Sequence, residues 1–275
     1  MKKITLGVLA ALSFGYGVAI AAEIIHPISR EKGSGTRGAF VEIFDIHKEI
    51  NGKKVDATTK KAEVTNSTGV MITSIAQSKN AIGYISLGSL NNSVKSVKID
   101  GIAPSVENIN KKSYKVSRPF NIVTNKVSPL AEDFLKYTFS AKQVIEKAGY
   151  IATKQDSFES KKPEGKLVIA GSSSITPLME KLSESYKKIN QNATIEILQS
   201  DSTTGVNSVV EGIADLGMVS RELKKAELDK GINVNVIAID GLAVIVNKEN
   251  PIDNISKDNV KKIFLGDIQN WEDVK

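Results

Sequence analysis

The 275-residue chain contains no cysteine. That excludes a disulfide framework, a thiolate metal site, a cysteine nucleophile and lipid attachment through a cysteine at the cleavage point. Histidine is almost as scarce: His26 and His47 are the only two, and neither sits in a metal-ligand spacing. Neither a G-x-S-x-G elbow nor a G-x-x-x-x-G-K-[ST] loop occurs, so serine hydrolases and nucleotide-phosphate enzymes lose their strongest signals. Aromatics make up only 5% of the residues, and lysines are scattered on polar helix faces, as in "KKAELDK" and "SKDNVKKIF". Without a basic run interleaved with aromatics, nucleic-acid binding has little support. There is no short internal repeat and no low-complexity segment.

What is present is an ordinary globular composition, 41% hydrophobic and 25% charged, with enough chain for one large domain or two lobes. The opening "MKKITLGVLAALSFGYGVAIAA" joins a basic pair to an uncharged apolar run and ends in the small-x-small pattern Ala19-Ile20-Ala21. It predicts a signal peptide over residues 1–21, cleaved after Ala21. The run is rich in Gly and Ala and no basic stop-transfer cluster follows it, so export is expected rather than a membrane anchor, with the periplasm as destination. Net charge is +6, falling to +4 without Lys2 and Lys3, a mild field that helps draw in a small anion.

Short apolar strands alternate with amphipathic helices throughout, which predicts the α/β class. The clearest linker is "TKQDSFESKKPEGK", Thr153 to Lys166, polar and charged with Pro and Gly. After it, "KLVIAG", "ATIEILQS", "ADLGMVS" and "VNVIAIDGLAVIVN" read as strands; "TPLMEKLSESYKKI", "GVNSVVEGI" and "SKDNVKKIFLG" read as helices. Before it, "GTRGAFVEIFDIHKEI" reads as one helix that places His47 on a polar face, "NAIGYISLGSL" as strand and turn, "RPFNIVTNK" as a strand, and "LAEDFLKYTFSAKQVIEKAGY" as one long helical stretch.

Two stretches share one physical grammar: "PISREKGSGTRGAF" (Pro27 to Phe40) and "IAGSSSITPLMEKL" (Ile169 to Leu182). In each a strand ends, small hydroxylated residues or glycines follow, and a helix begins. Unpaired N–H groups and the positive end of a helix dipole suit an anion, and Ser and Thr hydroxyls add donors without net charge. "QSDSTTGVNSVV" (Gln199 to Val210) and "VSREL" (Val219 to Leu223) are two further sites of this kind. Any one alone is more simply a helix cap or a turn. Four together, two of them carrying arginine and all able to sit at strand carboxyl ends, point to an oxyanion site.

The same stretches resemble a known family. "KLVIAGSSSITPLMEKLSESYKK", "DSTTGVNSVVEGIADLGMVSREL", "IAIDGLAVIVNKENPI" and "NVKKIFLGDIQNWEDV" are similar, in this order, to the first half of the phosphate-binding periplasmic proteins that feed ABC importers. "PISREKGSGTRGAFVEIF", "NAIGYISLGSL", "VKIDGIAPSVENINKKSYKVSRPFNIVTN" and "AEDFLKYTFSAKQVIEKAGYI" are similar to the second half. The halves are exchanged, so the resemblance implies a circular permutation, with residues 22–150 matching the family's C-terminal half, residues 151–165 a linker, and residues 166–275 matching its N-terminal half. The implied fold is a two-lobed, type II-like periplasmic binding protein. One lobe would span about residues 118–238; the other would combine about 22–117 with 239–275.

Carried over by position, the resemblance implies a phosphate site built from Arg30, Ser34, Gly35 and Thr36 on one lobe and Ser173, Ser174, Ser202, Ser220 and Arg221 on the other. It implies inorganic phosphate as ligand, ABC permease subunits as partners, and neither enzymatic activity, metal nor organic cofactor. Some family members carry an aspartate where Ser220 stands, which accepts the proton of phosphate and so rejects sulfate; Asp201 is the candidate replacement, or a helix cap. The alternatives are a receptor for another oxyanion such as sulfate, a phosphatase or esterase using Ser34 or Ser173 with a histidine such as His26, and a chain whose lobes pair between two copies.

Overall fold

A computed structural model describes residues 23–274, and the expected signal peptide lies outside them. The chain runs through β1 (His26–Arg30), α1 (Gly35–Ile43), β2 (His47–Ile50), β3 (Lys53–Asp56), β4 (Glu63–Thr65), α2 (Thr68–Gln77) and β5 (Ala81–Ser86). The short β6 (Lys95–Ser96), β7 (Lys98–Ile99) and α3 (Val106–Asn110) lead to β8 (Ser117–Thr124), α4 (Pro129–Ser140), α5 (Lys142–Lys147) and β9 (Ile151–Ala152). Then come β10 (Gly165–Ser172), α6 (Thr176–Ile189), β11 (Ala193–Ser200), α7 (Ser202–Val210), β12 (Leu216–Val219), α8 (Lys225–Leu228), β13 (Asn233–Val246), β14 (Asn254–Ile255) and α9 (Lys257–Leu265).

The main sheet has the order β11-β10-β12-β8-β13-β5-β1-β4. Its two ends are parallel: β10 pairs with β11 and β12 on one side, and β1 with β4 and β5 on the other. Its centre is antiparallel. The 14-residue β13 pairs with β8 from Asn233 to Gly241 and with β5 from Leu242 to Val246. One strand thus belongs to both halves of the sheet. Apolar side chains divide accordingly: Phe120, Phe134, Leu182, Tyr186 and Met218 pack in one core, while Phe40, Phe44, Tyr84, Leu242, Phe264 and Trp271 pack in another.

Local chemistry explains the element ends. Pro177 stands in the first turn of α6, where its missing N–H costs nothing, and α9 runs from the Ser256 cap to Gly266 in the left-handed region. Three readings differ from the structure. The helix expected through His47 stops at Ile43, Asp45 turns left-handed, and His47 lies in a β2–β3 hairpin closed by Asn51 and Gly52, both at positive φ. An Asn-Gly pair is the hairpin signal that helical periodicity masked. The long helical stretch from Leu130 breaks at Ala141 into α4 and α5. Residues 151 and 152 of the expected linker form β9 against β13. The rest of that linker is pinned: Ser160 Oγ and Lys161 N donate to Asp133, and Phe158 packs edge-on against Tyr137.

The first and last described segments lie side by side. Ile25 N donates to Gln269 O, Trp271 N donates to Glu23 O, and Trp271 Nε1 donates to Asn80 O.

At the end of β10, Gly171 has φ +128°, and a Cβ there would stand 2.5 Å from Met218 O and 3.0 Å from Gly205 Cα. Gly171→Ala is expected to cost about 3 kcal/mol, combining left-handed strain with a backbone clash. Urea unfolding measures it; a change below about 0.5 kcal/mol contradicts the account.

Candidate functional site

Four helices, α1, α2, α6 and α7, begin within two to five residues of the carboxyl ends of β1, β4, β10 and β11, and their first residues meet in one buried cluster. None of the four has an acidic residue in its first turn, whereas α3, α4, α8 and α9 carry Glu107, Glu132, Glu227 and Asp258 there. A carboxylate in that turn normally stabilises a helix. Its omission leaves the positive ends of α1, α2 and α6 without an acid of their own, as suits an anion, while α7 is capped by the Asp201 carboxylate.

Hydroxyl groups from both ends of the sheet touch. Thr36 Oγ1 lies 2.7 Å from Ser174 Oγ, and Thr68 Oγ1 lies 3.1 Å from the same atom. Thr68 N and Arg30 Nη2 both donate to Ser173 Oγ, at 3.3 and 3.1 Å. Beside them Ser172 Oγ donates to Ser220 Oγ at 2.8 Å, and Ser220 N donates to Ser202 Oγ at 3.1 Å. Gly35 fills the contact: a Cβ would overlap Ser202 Oγ and stand 2.6 Å from Ser220 Oγ. Any side chain at that position would hold the two halves apart.

Arg30 supplies the positive charge at the cluster. It is 2% exposed, and its Nε and Nη2 donate to both Glu31 carboxylate oxygens at 2.8 and 2.7 Å. Its backbone N donates to Tyr84 Oη, which also bonds Ser29 Oγ, while the Tyr84 ring stacks on Phe40 at 3.8 Å. The end of β1 is thereby locked to the core. Burial pushes the Tyr84 phenol up to about 12, so it stays a neutral hydrogen-bonding group.

Of the residues expected from the sequence, Arg30, Gly35, Thr36, Ser173, Ser174, Ser202 and Ser220 come together here. Ser34 stands at the edge as the cap of α1, its Oγ accepting from Arg37 N. Arg221 is turned away: its guanidinium bonds both oxygens of Glu227, the carbonyl of Glu222 and Thr203 Oγ1. Asp201 caps α7, accepting from Thr203 N, Thr204 N and Thr204 Oγ1, and abuts Gly33. Of the two uses open to Asp201, capping is the one the bonds serve. The histidines lie elsewhere: His26 pairs with Glu63, and His47 meets Glu42 and Asp45. No Ser34–His26 pair forms.

Sequence reasoning missed Thr68, Ser172 and Arg118. Thr68 opens α2 in "NSTGV", the same strand-hydroxyl-helix grammar in a shorter stretch. Arg118 carried no local signal, because its partners are far away in the chain. On β8, it donates through Nε and Nη2 to Asp240 Oδ2 on β13, at 3.1 and 3.0 Å, and through Nη1 to Ser220 O at 3.0 Å. Ser86 Oγ, at the end of β5, donates to Asp240 Oδ1 at 2.9 Å. The pair is 1% and 0% exposed. Burial pushes the Asp240 carboxyl up to about 6 against the pull of Arg118.

This pair makes two testable statements. Arg118→Ala strands a buried carboxylate and is expected to cost about 3–5 kcal/mol in urea unfolding. The folded-state pKa of Asp240 lies above the unfolded 3.8, so the folded chain holds the extra proton between 3.8 and about 6. Stability therefore falls as pH rises through that window, and Asp240→Asn should remove that part of the slope. An identical pH slope in the two proteins contradicts the assignment.

The comparisons with known proteins agree with this geometry. The family described as the PBP superfamily domain matches residues 16–142 and 156–275. The phosphate-binding protein PstS 2 of Streptococcus agalactiae serotype V is 51% identical over 256 residues, 91% of this chain and 87% of that protein. The phosphate-binding protein PstS of Bacillus subtilis is 36% identical over 115 residues, covering 41% of this chain and 38% of that one. Among solved structures, a phosphate-binding protein of a phosphate ABC transporter from Streptococcus pneumoniae TIGR4 superposes with a TM-score of 0.71 at 42% identity, covering 92% of this chain and all of that one. The α/β chain, with its two parallel sheet ends joined by crossing strands, belongs to the PBP superfamily of two-domain binding proteins.

Proposed function

We propose that this chain is an exported solute-binding protein that captures inorganic phosphate between its two lobes and delivers it to an ABC permease. The observation that carries the reading is the convergence of four helix N-termini, three of them with no acid at the cap or in the first turn, with one buried arginine and seven hydroxyl side chains in a single cluster. A tetrahedral oxyanion offers acceptors in every direction, which such a cluster matches with donors. In a dry cleft those charge-assisted bonds are strong. The binding set is Arg30, Gly35, Thr36, Thr68, Ser173, Ser174, Ser202 and Ser220, with Ser34 holding the loop. Arg30 would exchange part of its bonding to Glu31 for the anion.

The lobes of this reading are residues 118–238 and, together, residues 23–117 and 239–274, moving about β8 and β13. The order of the segments is that of a circular permutation of the longer-known arrangement. Two observations support it: the hydrogen bonds that set Glu23 beside Trp271, and a match to the Bacillus protein confined to two-fifths of the chain while the streptococcal protein matches over nine-tenths. Export rests on the N-terminal pattern; among the described residues no helix is long and apolar enough to cross a membrane. A hydrolytic role has less support, since both histidines have carboxylate partners outside the cluster and no serine there is paired with a base.

Isothermal titration of the chain from Ala22 onward, stripped of anion, is expected to give one-to-one phosphate binding. Arg30→Gln and Gly35→Ala should each weaken it about a hundredfold, a loss of ~2.7 kcal/mol. Asp201→Asn should leave the ratio of phosphate to sulfate affinity unchanged, because its oxygens serve the cap. A folded chain that binds neither anion overturns the reading.

A further inference from the structure

A groove of about 550 Å³ opens beside the anion cluster and is walled by both lobes. Lys32, in the loop between β1 and α1, and Lys54, on the hairpin strand β3, contribute from one side; Lys224, which follows Arg221, contributes from the other. The groove's inner wall is the back of the anion loop itself. Arg37, another lining residue, donates from Nη1 to Arg30 O at 2.7 Å and from its backbone N to Ser34 Oγ.

The charges in this groove are unbalanced. Two carboxylates, Asp56 and Glu42, face it against four cationic side chains, and Asp56 is engaged by Arg37 Nε at 2.7 Å. Lys54 has only a distant partner, Asp45 at 3.9 Å, and Asp45 is held more closely by Lys261. Lys32 and Lys224 are exposed, and neither takes part in an ion pair. Lysines without an ion pair also stand elsewhere, Lys181, Lys187 and Lys188 on α6 among them, so what sets Lys32, Lys54 and Lys224 apart is that they line one groove.

We infer that this groove is an outer capture site for small oxyanions, in which Lys32, Lys54 and Lys224 concentrate the ion at the cleft mouth before it reaches the buried donors. The inference rests on the proposed anion-binding function and adds a kinetic role to residues that lie outside the inner cluster. The groove is too wide for one tetrahedral ion to touch all of its walls, so its action is on encounter and not on final affinity. Unpaired cations in a concave surface raise the local concentration of anions and the association rate, and salt screens the effect over about 8 Å at 0.15 M.

The test uses the absence of native cysteine. A Val70→Cys substitution on exposed α2, labelled with an environment-sensitive dye, reports capture of phosphate or sulfate by stopped flow. Two variants are compared in that background. One replaces Lys32, Lys54 and Lys224 by Gln; the other replaces Lys181, Lys187 and Lys188, exposed residues of α6 outside the groove, and so removes the same net charge.

The groove variant should associate about tenfold more slowly at 10 mM salt and within about twofold of the parent at 500 mM, with dissociation within about twofold throughout. The α6 variant should associate as the parent does. Equal slowing in both variants, no slowing in the groove variant, or a change confined to dissociation overturns the capture site while leaving the binding function intact. A parent chain that binds neither phosphate nor sulfate at equilibrium overturns both.

Discussion

The fold depends on the antiparallel pairing of β8 with β13. These strands are the seam where the two parallel sheet ends meet, and β13 continues past the seam to pair with β5. Inside the seam lies the Arg118–Asp240 pair, removed from water and so dependent on full hydrogen bonding. Asp240 reaches one way to Ser86, and Arg118 reaches the other way to the backbone of Ser220. A single buried pair therefore ties the end of β5 to the residue that follows β12, and Ser220 is also part of the hydroxyl cluster.

From that seam the positions of the hydroxyl groups follow. Strands β1 and β10 end on opposite sides of it, each delivering a loop and a helix start toward the same volume. Small side chains are required where the halves meet, because Gly35 and Ser202 occupy space that no larger pair could share. The cluster is polar but economical in charge: one guanidinium bonded to Glu31, hydroxyls, and helix ends. Preformed dipoles of this kind stabilise an anion without the desolvation cost of several buried cations. Lys32, Lys54 and Lys224 lie outside the cluster, in the groove behind the loop between β1 and α1.

How much of this was legible depended on sequence distance. The donor loops "SREKGSGT", "GSSSIT" and "DSTT" could be recognised because strand end, small hydroxylated residues and helix start are contiguous. Strand β13 was readable from its long apolar run, interrupted at Asp240-Gly241, and α9 from its cap and its terminal glycine. The β2–β3 hairpin was lost because apolar residues continue at helical spacing past Ile43, while the turn that overrides them depends on the left-handed backbone of Asp45, Asn51 and Gly52. Arg221 was assigned to the anion from its place beside Ser220, yet Glu227, one turn into the next helix, claims its guanidinium.

The sequence by itself determined which segments could offer donors, since capping chemistry and helix dipoles act over a few neighbouring residues. It also determined the α/β class through the alternation of strand and helix periods. Only the tertiary structure decided which donors meet. Thr36 and Ser174 are 138 residues apart, Arg118 and Asp240 are 122 apart, and each pair forms because the sheet order brings distant strand ends together. Whether a serine caps its own helix or faces a partner across the cleft is settled by that packing, where burial makes every unpaired polar atom costly.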